Sequence, residues 1–171
     1  MKNNFVFEAD IAAKKIHISR EFDAPIEKVW RAWTEPDLLE KWWSPKPHVA
    51  KTKVMDFTVG GTWQFAMVSP DGTKNWLCAR FTGIEPGKAI ATSAVFCDAD
   101  GNITGGKSSW HRDTQFHTID GNRTKVEIVI TFEDEATIKT FAEGYFKQGT
   151  EISYNQLEEL LADDQIKTKA S

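Results

Sequence analysis

The chain has 171 residues, a length suited to one domain with a sizeable core, and its 40% hydrophobic and 27% charged residues are the composition of a globular protein. A net charge of −4 leaves no basic surplus to neutralise a phosphate backbone, so nucleic acid is not an expected partner. No stretch approaches the roughly 18 consecutive apolar residues of a membrane span, and the start Met1-Lys2-Asn3-Asn4-Phe5 lacks a signal peptide's apolar run, so a cytoplasmic location is expected.

Residues 1–14 are weakly patterned, and Phe5 and Phe7 fit either an extra strand or a mobile arm. From Lys15 the chain alternates, with Ile16, Ile18 and then Phe22 marking a strand. Asp23-Ala24-Pro25 reads as a helix start, with Asp23 as the capping acceptor. Ile26, Val29, Trp30 and Trp33 then lie on one helical face. Thr34-Glu35-Pro36-Asp37 opens a second short helix carrying Leu38, Leu39, Trp42 and Trp43, and Ser44-Pro45-Lys46-Pro47 ends it.

Strands follow. They are expected over Val49–Phe57, around Trp63, Phe65 and Met67, and over Lys74–Ile84, Ala89–Cys97, Ser108–Thr118 and Arg123–Phe132. Gly60-Gly61, Ser69-Pro70-Asp71-Gly72, Glu85-Pro86-Gly87-Lys88 and Asp120-Gly121-Asn122 supply turns, and residues 98–106 a loop. After Glu133 the period changes to helical: Ile138, Phe141, Phe146, Leu157, Leu160 and Leu161 mark one long C-terminal helix. Gly144 and Gly149 interrupt it, each at a cost of up to about 1 kcal/mol, so a break near one of them is expected. The expected fold is α+β: an antiparallel sheet of about six or seven strands closed by the C-terminal helix, with two short helices after the first strand. Residues 15–162 form the domain, preceded by the 1–14 arm and followed by a 163–171 tail.

Several local patterns, in this order, resemble one family. They are ISREFDAPIEKVWRAWTEPDLLEKWWSP (residues 18–45), MDFTVGGTW (55–63), VSPDGT (68–73), IEPGKAI (84–90), DADGN (98–102) and FAEGYFKQGTEISYNQLEELLA (141–162). The chain resembles the activator of heat-shock-protein-90 ATPase homologue family of the START-like, or SRPBCC, superfamily. The resemblance implies a helix-grip fold, in which a curved sheet grips the C-terminal helix around a cavity. It also implies an apolar or amphipathic small-molecule ligand, or a chaperone as partner, and no universal catalytic residue. The chain departs from the family pattern in residues 1–14 and in the polar stretch SSWHRDTQFHT (108–118).

In that polar strand side chains alternate faces. His111, Asp113, Gln115 and His117 share one face, either an acid–base or metal cluster or a solvated sheet surface. Trp110, Arg112, Thr114, Phe116 and Thr118 share the other, assigned to the concave side because it carries the large rings. Arg112 there must find a partner or reach water: it either anchors a carboxylate or other anionic head group of a ligand, or pairs with a helix carboxylate such as Glu143 or Glu151. Trp63, Phe65 and Met67, with Phe141 and the Tyr145 hydroxyl, complete the candidate ligand-binding set, and the same list would equally fill a solid core. Cys78 and Cys97 are too few for a disulfide framework and lack metal-ligand spacing. Register across the Pro86-Gly87 turn places Cys78 beside Val95 and diagonal to Cys97.

The leading expectation is a binding protein for an apolar or amphipathic small molecule, without cofactor or metal. A chaperone-associated module of the stress response is the alternative. A cyclase- or hydrolase-like enzyme would require Arg112 to converge with Tyr145 or a carboxylate. Monomer and homodimer are both open, the latter through the tryptophan-rich short helices or an edge strand.

Overall fold

A computed structural model describes residues 4–104 and 109–162. Residues 1–3 of the arm, Gly105 and Gly106 of the loop, Ser108 and the 163–171 tail lie outside the described residues.

The strands are β1 (Val6–Asp10), β2 (Lys15–Phe22), β3 (Val49–Met55), β4 (Thr62–Val68), β5 (Lys74–Glu85), β6 (Ala89–Cys97), β7 (Ser109–Asp120) and β8 (Arg123–Phe132). The helices are α1 (Ile26–Thr34) and α2 (Pro36–Trp42) between β2 and β3, then α3 (Glu135–Glu143) and α4 (Phe146–Ala162). All strands join one antiparallel sheet in the order β1-β2-β8-β7-β6-β5-β4-β3. Gly72 (φ +90°) and Gly87 (φ +74°) close the β4–β5 and β5–β6 hairpins, where a side chain would be strained.

The sheet has eight strands, not six or seven, and the short helices follow the second strand rather than the first. The additional strand is β1, which pairs with β2 from Val6↔Ser19 to Asp10↔Lys15. Its turn carries no Gly, Pro or Asn. Instead the Asp10 carboxylate accepts from the Ala13 amide at 3.1 Å and Lys14 takes a left-handed φ of 59°.

The C-terminal helix is two helices. The chain leaves helical geometry at Gly144, and α4 starts two residues later. Gly149 stays inside α4 because the helix approaches Pro45 closely; a Cβ there would lie 3.3 Å from Pro45 Cγ. Asp23 does not cap α1. Pro25 occupies the cap position, and Asp23 accepts instead from Arg123 Nε at 3.0 Å.

The core lies between the concave face of the sheet and the helices. Ile16 and Ile18 of β2 pair with Ile130 and Ile128 of β8, and all four are fully buried. Trp33 and Trp42 are buried too, while Trp30 and Trp43 are half-buried. No helix among the described residues is long and apolar enough to cross a membrane.

Leu157, in the middle of α4, is fully buried. Leu157→Ala should lower the unfolding free energy by about 2–5 kcal/mol, the range for truncating a core leucine. Urea melts read this directly, and an unmeasurable loss would show that α4 is not held by that contact.

Candidate functional site

On β5 and β6 the concave positions directly opposite each other are both alanines, Ala79 and Ala94. Larger side chains stand around them: Phe81 and Leu77 on β5, Trp63 and Phe65 on β4, Trp110 on β7. Two methyl groups cannot fill the space that those rings hold open. The result is a hollow of about 310 Å³ over β3 to β7, roofed by Trp33, Leu39 and Trp43 and by Phe141 and Phe146. No residue of β2 or β8 lines it. Asn75 and Phe96, both exposed, stand on its outer rim.

A second chamber of about 290 Å³ adjoins the first and shares Trp43, Met67, Arg112 and Phe146 with it. Its own lining is more polar, with His48, Tyr145, Thr150, Ser153 and Tyr154. Arg112 therefore sits where the two meet. Its guanidinium carbon lies over the Trp43 ring, 5.1 Å from the centroid, a cation–π geometry. Burial pulls its pKa down from the ordinary guanidinium value, with Tyr154 acting against that.

The position of Trp43 is built by α4. The Gln156 side-chain amide donates to the carbonyls of Trp42 (3.1 Å) and Ser44 (2.9 Å) and accepts from the Lys46 amide (2.9 Å). Ser153 Oγ donates to the Trp43 carbonyl at 3.0 Å. With Gly149 against Pro45, these bonds pin the end of α2 and hold the Trp43 ring over Arg112.

Of the residues singled out from sequence, Trp63, Phe65, Met67, Trp110, Arg112 and Phe141 line the hollow. Trp63 and Phe65 stack at 4.0 Å, and Phe141 packs on Trp110 at 5.2 Å. Phe116 does not line it. It is buried on the same face of β7 but lies beneath Trp30 and Trp33, at 5.2 and 5.3 Å. Tyr145 does not face the hollow either. The break at Gly144 leaves it 64% exposed at the edge of the second chamber. The hydroxyl close to Arg112 belongs to Tyr154. Arg112 makes no ion pair with Glu143 or Glu151, and no hydrogen bond joins it to Tyr145 or to a carboxylate among the described residues.

Sequence reasoning overlooked Arg20, which stands at an apolar-periodic position between Ile18 and Phe22. That placement was the available signal. Arg20 is 2% exposed, donates to Asn155 Oδ1 at 2.8 Å and lies 3.6 Å from Glu158, tying β2 to α4. The convex face carries the polar ladder. His111 lies 3.3 Å from Asp113 and His117 2.9 Å from Glu127, and no group that could hold a metal occurs among the described residues. The thiols of Cys78 and Cys97 meet at 2.8 Å on that side, unbridged, and burial pushes the Cys97 thiol up to about 12.

The model of the family described as "Activator of Hsp90 ATPase homolog 1-like protein" matches residues 23–162. The chain belongs to this family. Among solved structures, a protein of Arthrobacter aurescens is 31% identical with a TM-score of 0.85, covering 92% of this chain and 91% of that one. A protein of Mycobacterium smegmatis is 25% identical with a TM-score of 0.83, covering 91% and 95%. The AHSA1 protein of Silicibacter pomeroyi, 17% identical with a TM-score of 0.68 over 88% and 99%, shares the fold. No curated protein matches the chain.

Burial raises the pKa of Tyr154 from 10.0 to about 12, with Arg112 and Arg20 pulling it back. A hydroxyl with a raised folded pKa holds its proton more tightly when folded. Its contribution to stability is whole below pH 10 and is lost as pH rises towards 12. Unfolding free energy of the wild type should therefore fall more steeply across that interval than that of Tyr154→Phe. Equal slopes in urea melts would show that the phenol is not buried in solution.

Proposed function

We propose that this protein binds an apolar or amphipathic small molecule between the sheet and its C-terminal helices. The observation that carries the reading is the hollow of about 310 Å³ around Ala79 and Ala94. Protein interiors are close-packed and rarely hold voids larger than a water molecule. A space of this size, lined mainly by apolar and aromatic side chains with a few polar groups and the Arg112 cation, has the make-up of a ligand site. Binding is favoured over catalysis because Arg112 has neither a carboxylate nor Tyr145 within hydrogen-bond reach to form an acid–base pair.

Titration with a neutral apolar fluorophore such as Nile red should give saturable one-to-one binding with enhanced emission. Ala94→Phe places a ring in the hollow and should abolish that binding without lowering the melting temperature. Wild-type protein that fails to bind the fluorophore, or an Ala94→Phe protein that still binds it, would contradict the reading.

The family description names activation of a chaperone ATPase, and that is the second reading. It is separated from the first by ATP hydrolysis of purified heat-shock protein 90 with a stoichiometric amount of this protein. The binding-protein reading predicts no stimulation, and a several-fold rise would favour the second.

A further inference from the structure

Two arginines stand on the concave side of the sheet, Arg20 buried and Arg112 half-buried, and they are treated differently. Arg20 has an amide oxygen and a carboxylate, from Asn155 and Glu158. Arg112 has only the face of Trp43, and no hydrogen bond or ion pair among the described residues. A guanidinium lying over a ring keeps its in-plane N–H groups free at its edges. Those donors stand where the two chambers meet. Arg112 is half-buried, and a cation that has given up part of its hydration without an anion gains from a well-aligned anionic partner.

We propose that the occupant is an amphipathic monocarboxylate, with its head group paired to Arg112 and its apolar body in the hollow between Ala79 and Ala94. This rests on the reading that the hollow takes a small molecule, and it adds the chemical class. The planar fork of arginine offers two parallel N–H donors that match the two oxygens of a carboxylate. One charge suits one charge. Among the described residues no lysine and no second arginine lines either chamber, and His48, on the second chamber, is the other basic side chain there. A phosphate dianion would be left short of counter-charge. The tail side is apolar, with Leu77, Phe81 and Ile90 beside the two alanines. The arrangement also explains the second chamber: its tyrosine, serine and threonine groups give the head-group end a polar surround.

The test is calorimetric titration at neutral pH with three ligands of one chain length: decanoate, decanol and decyl phosphate. The wild type should bind decanoate about tenfold or more tightly than decanol, the margin of a charge-assisted hydrogen-bonded pair. Arg112→Met should erase that margin without weakening decanol, and Arg112→Lys, which keeps the charge but not the fork, should fall between. Equal wild-type affinity for decanoate and decanol would overturn the head-group assignment while leaving the hollow as a binding site. Tighter binding of decyl phosphate than of decanoate would overturn the choice of carboxylate. Binding of none of the three would overturn the hollow itself as a site, and this assignment with it. Should Arg112→Met fail to fold by circular dichroism, the wild-type ranking and Arg112→Lys decide the matter.

Discussion

Tyr154 is the point at which the C-terminal helix, the sheet and the two short helices touch. Its ring meets Phe22 of β2 at 5.9 Å, Trp42 of α2 at 6.0 Å, Trp33 of α1 at 6.1 Å and Phe5 before β1 at 6.3 Å. The contacts with Phe22 and Phe5 are edge-to-face, a favoured ring geometry, and all four bury large apolar surface. Once Tyr154 is seated, Gln156 and Ser153 face the end of α2 and bind its free carbonyls. Those carbonyls need partners wherever a helix end is buried. The same bonds place Trp43, and Trp43 covers Arg112. One ring thus sets the depth of the helix, and the depth of the helix sets the roof of the hollow.

The hollow itself comes from small residues, not from strain. Near β2 and β8 the concave face is filled by Ile16, Ile18, Ile128 and Ile130. Near β5 and β6 the equivalent layer drops to alanine at the central pair, Ala79↔Ala94. The rings beside them pack on each other, as Trp63 does on Phe65, and do not collapse inward. A larger apolar residue at either alanine would fill the space and add buried contacts, so retaining alanine gives up stability in exchange for room. Family membership, with the fold shared by relatives as distant as 17% identity, fits a scaffold on which the lining can vary while the frame stays.

Much of the frame could be read from residues alone. β6 and β8 run between the expected ends because Pro86-Gly87 and Gly121 mark their starts and their alternation is strong. The polar strand β7 was sorted into faces correctly at Trp110 and Arg112, since alternation is a property of the backbone. β1 was the harder case, because its turn is closed by the Asp10 carboxylate and by Lys14 at positive φ, not by glycine. Phe116 shares the face of Arg112 but lies under α1, and sequence periodicity cannot tell which helix covers which stretch of a strand. Tyr145 stands at the edge of the second chamber and not in the hollow because of a break whose exact residue, Gly144, decides its direction. Ala79, Ala94 and Trp43 left no signal as site residues: a space made by small side chains becomes visible only when their neighbours are known. Arg20 did leave one, a charge at an apolar-periodic position.

The central claim is that the space between Ala79 and Ala94 seats the apolar part of a ligand. A crystal of the protein grown with an alkanoate brominated at its far end measures this most directly, because bromine is located by its anomalous scattering. One ordered bromine site is expected among Ala79, Ala94 and Phe81, with the carboxylate at Arg112. Bromine at the protein surface alone, or no ordered bromine at saturating ligand, would contradict it.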